Sequence, residues 1–170
     1  TNSGIAVNTY THLAATWEGS FETIWINGSA WQSQAQTAVT TGQTIAFRVS
    51  GRTEADNADW QGSLDEPALY DYAVGSARIM AHYLAGIAYQ NYSELILTDS
   101  PLGYWRLGET TGQALDSAPN AYHGSYSTVS VSRGQNAALY ADTDRSTYFN
   151  GSGFVHVASL TFPLNSAITM

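Results

Sequence analysis

Apolar and polar residues alternate imperfectly over Thr11-His-Leu-Ala-Ala-Thr-Trp17 and more regularly over Phe21-Glu-Thr-Ile-Trp-Ile26, with Glu18-Gly-Ser20 between the two runs and Asn27-Gly28 after them. β-Branched and aromatic runs punctuated by Asn-Gly are a strong hairpin signal, because both turn residues tolerate positive φ. The pattern predicts a β-meander. Further strands are expected at residues 44–49 and 63–72. The second contains Pro67, which lacks an N–H, so it is expected as an edge or bulged strand. One helix is predicted from Ser76 to Gly86: Ile79, Met80, Tyr83 and Leu84 fall on one face, Ser76 stands where it can cap, and Gly86 where it can close the C-terminus. From Asn91 the texture restarts. Residues 92–97 read as a linker turning into a strand, 103–109 as an aromatic strand bounded by glycines, and 110–124 as a polar loop. Residues 146–149 and 153–157 read as two strands joined through Asn150-Gly-Ser152, with no helix signal in this half.

Composition narrows the function classes. With 44% hydrophobic residues over 170 positions there is apolar material for one compact core or two incomplete ones. Lys plus Arg number 6 against 14 Asp plus Glu, a formal charge of −8, so the footprint for a phosphate backbone is missing and nucleic acid is not an expected partner. Polarity comes from Ser, Thr, Asn, Gln and Gly, a balance common in secreted or surface-displayed β-proteins. No cysteine is present, which removes disulfides and thiolate metal sites. No apolar run reaches the ~18 residues of a membrane helix, and membrane insertion is not expected. Both ends of the chain read as cuts in a longer polypeptide.

Specific phrases resemble a known family. Thr11-His-Leu-Ala-Ala-Thr-Trp-Glu-Gly19, Trp25-Ile-Asn-Gly28 and Gly62-Ser-Leu-Asp-Glu-Pro-Ala-Leu-Tyr-Asp-Tyr-Ala73, with the helix after them, look like the closing half of a laminin G-like domain of the concanavalin A-like lectin/glucanase group. Ser100-Pro-Leu-Gly-Tyr-Trp-Arg-Leu-Gly-Glu109, Asp116-Ser-Ala-Pro-Asn-Ala-Tyr-His-Gly124 and Asn150-Gly-Ser-Gly-Phe-Val-His-Val157 resemble the opening half. The resemblance implies an all-β, jelly-roll β-sandwich with one short helix at the end of the first half. It divides the chain into residues 1–90, the end of one domain, and 91–170, the start of the next. Two explanations fit that order: a segment of a tandem array, which is favoured, or a permuted or strand-exchanged domain whose halves pair. Either implies neighbouring repeats or subunits as partners, in a homo-oligomer or array, because half a repeat leaves apolar strand faces uncovered.

Catalysis finds little support in the residues. Glycoside hydrolysis needs two carboxyl groups flanking a bond, and concanavalin A-like glucanases usually place them at alternate positions of one strand. Here Glu18 and Glu22 straddle a turn, Glu54 and Asp56 fall in a loop, and Asp65 and Glu66 are expected on opposite faces of a strand. All read as solvated or turn-forming. No Gly-x-Ser-x-Gly elbow appears. The chain is therefore expected not to be an enzyme.

Binding chemistry offers more. Hard cations take loop oxygens, and Asp116, Ser117 and Asn120 are suitably spaced, so Asp116 and Asn120 are candidate ligands for a structural calcium, a cofactor that the resemblance also implies. Pro119 stands where the family usually has Gly, and Tyr122 where it often has Asn. The competing role for Asp116 and Asn120 is side-chain-to-backbone bonding within the turn. Trp31, Trp60 and Tyr122 lie in polar surroundings and are candidate glycan-stacking platforms, against a role in packing on the sandwich; Trp17, Trp25 and Trp105 are expected in the core. His82 is expected as a solvated or rim histidine, and the Asn-x-Ser sequons at Asn27, Asn91 and Asn150 as products of turn chemistry. The implied function is a non-catalytic binding and assembly module of an extracellular or virion surface, as in phage tail or capsid appendages or bacterial adhesins, with glycans or surface proteins as partners. A ligand-free filament or shell subunit and an accessory carbohydrate-binding module of a glycoside hydrolase are the alternatives.

Overall fold

The computed structural model describes residues 5–35, 47–51, 60–88, 91–140, 142–160 and 168–169. The expected meander is present as β1 (Leu13–Trp17), β2 (Phe21–Ile26) and β3 (Ser29–Ala35). Asn27 and Gly28 join β2 to β3 with φ of 49° and 77°, the doubly left-handed turn whose twist matches the flanking strands. A fourth strand from the far end of the chain, β12 (Ile168–Thr169), pairs antiparallel with β1, giving the order β12-β1-β2-β3.

Ten further elements complete the fold among the described residues besides β12: β4 (Phe47–Val49), β5 (Gln61–Leu64), β6 (Ala68–Leu69), α1 (Ser76–Ile87), α2 (Tyr92–Thr98), β7 (Gly103–Tyr104), β8 (Ser125–Tyr126), β9 (Val131–Gln135), β10 (Ser146–Asn150) and β11 (Val155–Val157). Three small sheets run β5-β10-β9, β4-β11-β8 and β6-β7. In each of these sheets, and in β12-β1, strands from before and after Asn91 are antiparallel partners. The main core is likewise shared: Val49 and Leu69 pack with Trp105, Leu107, Phe149, Val155 and Val157. The apolar faces that each segment leaves open are thus covered by the other segment of the same chain, which removes them from water at roughly 25 cal/mol per Å².

Several local expectations change. The strand expected over residues 63–72 is two short strands, because Asp65-Glu66-Pro67 turns the chain out of the ladder and Glu66 takes φ 58°. The aromatic strand at 103–109 keeps only Gly103–Tyr104; a Cβ at Gly103 would collide with the Trp105 ring, so the glycine is what lets the indole fold back to full burial. Residues 44–46 of the strand expected at 44–49 lie outside the described residues.

The helices differ most. Residues 92–97, expected as a linker entering a strand, form α2, so there are two helices among the described residues rather than one. Glu94 sits in the first turn, where its charge suits the helix dipole, and Ile96 is buried beside Tyr92 and Tyr104. In α1 the cap position is Gly75 rather than Ser76, and the helix runs past Gly86 to Ile87. Its buried stripe is Ile79, His82 and Ala85, one position round from the expected face, and Leu84 is exposed. Ile79 of this stripe packs with Tyr70 and Val74, against Ala14 and Trp25 of the meander.

Candidate functional site

The corner that breaks the strand after β5 carries the densest charge cluster of the described residues. Glu66 is buried, 6% exposed, at the bend. It accepts hydrogen bonds from the Tyr104 hydroxyl and from Arg106 Nε, the latter at 3.0 Å. The Arg106 guanidinium also lies 2.7 Å from Asp142 and 3.1 Å from Asp144. Gly108 makes room for this, since a Cβ there would strike the Asp144 carboxylate. Asp65 accepts the Ala138 N–H at 2.7 Å through Oδ2, while its Oδ1 is buried without a hydrogen-bond partner.

More negative charge gathers here than one guanidinium offsets. Burial pushes the Asp65 carboxyl up to about 7, with Glu66, Asp144 and Asp142 adding to the rise against the Ala138 N–H. Burial also pushes Glu66 up to about 7, against the pull of Tyr104 and Arg106. The expectation of solvated carboxylates on opposite strand faces is therefore corrected: Glu66 is a buried, ion-paired group. Its partner stands 40 residues away in the Tyr104-Trp-Arg-Leu107 phrase, a separation that no local pattern encodes. Glu54 and Asp56 lie outside the described residues.

The loop expected to hold calcium is organised by the backbone instead. Asp116 is buried and its Oδ1 accepts the N–H groups of Tyr104 at 2.7 Å and Ala118 at 2.8 Å, while Oδ2 accepts that of Tyr122 at 2.8 Å. Asn120 is exposed and donates its amide to Leu102 O at 3.1 Å. The structure directs the two side chains to different partners. Among the described residues no group of three or more His, Cys, Asp or Glu side chains is arranged around a common point for a metal ion.

The aromatic candidates separate. Tyr122 is half-buried against the main core, its N–H held by Asp116 and its carbonyl accepting Trp105 Nε1 at 2.8 Å, so it is a packing residue. Trp31 is 43% exposed and is the extra residue of a bulge in β3, between the pairs Ile24↔Gln32 and Trp25↔Ala30. Trp60 is 41% exposed at the entrance to β5, its N–H bonded to Ser50 O at 3.0 Å. Its indole lies across Gly62, where a Cβ would stand 3.0 Å from Nε1. A flat ring is thereby seated on bare backbone. Trp105 is fully buried as expected, and Trp17 and Trp25 are half-buried.

His82 is not at the rim. It is 5% exposed, its Nε2 is 2.7 Å from Asp99 Oδ2, and the Arg78 guanidinium binds the same carboxylate at 2.8 Å, so α1 is tied to the end of α2. Burial lowers the His82 pKa, with Asp99 opposing. Asn27 and Asn150 are exposed, the first also accepting His12 N–H through its side chain. The side-chain amide of Asn91 donates to Glu94.

Comparison with known proteins bears on the first part of the chain. Residues 1–80, just under half of it, match the family model Laminin_G_3, described as the concanavalin A-like lectin/glucanases superfamily. No curated protein and no solved structure matches the chain. The antiparallel sheets around a shared aromatic core agree with that superfamily's sandwich. Residues 1–80 are thus similar to the concanavalin A-like lectin/glucanase superfamily, whose laminin G-like modules generally bind carbohydrates or proteins.

Proposed function

We propose that the chain is a non-catalytic, glycan-binding module of an extracellular or virion surface structure, of the kind found in phage tail or capsid appendages and bacterial adhesins. The supporting observation is Trp60, whose ring rests on Gly62 and stays 41% exposed. An indole held in this way presents an apolar, polarisable face at little further entropic cost, and the C–H face of a sugar ring stacks on such a surface. Single contacts of this type are weak. Repetition along a surface array raises the effective concentration of the second contact and makes the array bind tightly. A non-catalytic reading is supported by Glu66, whose carboxylate is occupied by Arg106 and Tyr104 rather than open to a glycosidic bond.

The test is a glycan array probed with the folded chain, labelled and clustered to restore multivalency, beside Trp60→Ala. Binding to a defined glycan class that falls about tenfold or more in Trp60→Ala is expected, since one stacking contact is worth on the order of 1–2 kcal/mol. Folded protein without any glycan hit, or binding indifferent to Trp60→Ala, contradicts the reading.

A further inference from the structure

Asn-Gly occurs twice in the sequence, at Asn27-Gly28 and Asn150-Gly151, and the fold gives the two copies opposite surroundings. Glycine after asparagine matters chemically as well as conformationally. With no Cβ to shield it, the glycine nitrogen can approach the carbonyl carbon of the preceding side chain and close a five-membered ring. For that the carboxamide must be free to turn, and water must reach the ring. Both conditions fail at Asn27. Its Oδ1 accepts the His12 N–H at 3.1 Å, and its own N–H is held by His12 O at 2.9 Å. The pair is fixed in the tight turn between β2 and β3, with φ of 49° and 77°. Gly28 is buried beneath α1, where an added Cβ would lie 2.8 Å from Met80 Sδ. Asn150 is placed differently. It is the exposed last residue of β10, and its backbone N–H is anchored on Ser130 O at 3.2 Å. Among the described residues nothing hydrogen-bonds its carboxamide or the Gly151 N–H. A Cβ at Gly151 would meet only Gln61 Cβ, at 3.8 Å, so the approach to the dipeptide is open.

We propose that Asn150 is a site of spontaneous deamidation in the folded chain, while the same dipeptide at Asn27 is protected. The Gly151 nitrogen, giving up its proton to solvent base, attacks Asn150 Cγ. The N–Cγ bond forms, the Cγ–Nδ2 bond breaks, and the amide leaves as ammonia. Water then opens the resulting succinimide at either carbonyl, giving aspartate or isoaspartate; no step needs an oxidant or reductant. Either product adds a negative charge to a chain that already carries −8. The isoaspartate also routes the main chain through Cγ, which lengthens the backbone by one atom at the residue that pairs β10 with Gln61 of β5. Gln61 adjoins Trp60, so the modified rim lies beside that exposed ring. The reaction itself is independent of the glycan reading.

The test incubates the full chain in mildly alkaline buffer, folded and, in parallel, unfolded in urea, and follows both asparagines by peptide mapping with mass spectrometry. Fragmentation that separates aspartate from isoaspartate identifies the products, and circular dichroism checks that the folded sample stays folded. In urea the two Asn-Gly pairs lose their different surroundings, and their conversion rates are expected to agree within about threefold, under a kcal/mol in barrier. In the folded chain Asn150 is expected to convert to both products about tenfold or more faster than Asn27, a difference of at least about 1.4 kcal/mol in barrier. Asn27 keeping pace with Asn150 in folded protein, or a folded chain in which Asn150 stays intact while the unfolded chain reacts, overturns the proposal.

Discussion

Arg106 reaches Glu66 across 40 residues of sequence, its Nε 3.0 Å from Oε1, and the same guanidinium holds Asp142 and Asp144. One cation gathers carboxylates from both sides of Asn91, at the point where β6 and β7 pair. The contact therefore joins the two segments as well as neutralising a buried acid.

Removing that cation is expected to be costly. Arg106→Met leaves Glu66 buried without its ion pair, and breaking a fully buried pair costs about 3–5 kcal/mol. Arg106 keeps partial access to solvent, so a loss of about 2–3 kcal/mol is expected at pH 8 in urea denaturation. At pH 5.5 the loss is expected to shrink, because Glu66 then takes a proton more readily. Equal losses at the two pH values would contradict the ion-pair account.

Asp65 and Glu66 set a second expectation. Both are raised to about 7 in the fold from ordinary carboxyl values near 4. A raised carboxyl pKa means that the folded state binds protons the unfolded state has released, so its contribution to stability is complete below about 4 and is lost as pH rises through about 7. His12, lowered to about 4 by burial and by the charge of His82, and His82, also lowered, work in the opposite direction below pH 6.5. As pH rises beyond 6.5, His12 and His82 lose their protons in the unfolded state too, and the carboxyls decide the slope. The thermal midpoint is expected to fall between pH 6.5 and 8.5, and Asp65→Asn to flatten the fall while raising the midpoint at pH 8.5.

Asp116 supplies a third. Its carboxylate satisfies three backbone N–H groups, and Asp116→Ala strands them; a loss of about 2–4 kcal/mol is expected, with Asp116→Asn intermediate. Because those bonds already occupy the carboxylate, added calcium is expected to leave the melting midpoint of the unaltered chain unchanged, and a rise reversed by chelator would show an ion-binding loop instead.

Local order was legible where the physics is local. Alternation and Asn27-Gly28 suffice for the meander, since the turn needs nothing beyond two residues that tolerate positive φ. α2 was not legible because Leu95-Ile96-Leu97 reads as a strand until Ile96 is seen to bury beside Tyr104, a contact with another element. Exposure of Trp31 and Trp60 followed from their polar neighbours, whereas Tyr122 has equally polar neighbours and is drawn inward by Asp116 and Trp105. The Glu66 cluster belongs to the class that sequence patterns miss altogether: four acids and an arginine that only the pairing of β5, β6, β7 and β10 brings together.

That pairing across Asn91 carries everything else, and isotope-filtered nuclear Overhauser spectroscopy tests it most directly. β5 and β10 place Ser63 opposite Tyr148, so a cross-strand contact between their Hα or amide protons is expected within a single labelled chain, undiminished when labelled protein is diluted into unlabelled. A contact seen only between labelled and unlabelled chains, or none between these two strands in folded protein, would contradict the fold on which the site rests.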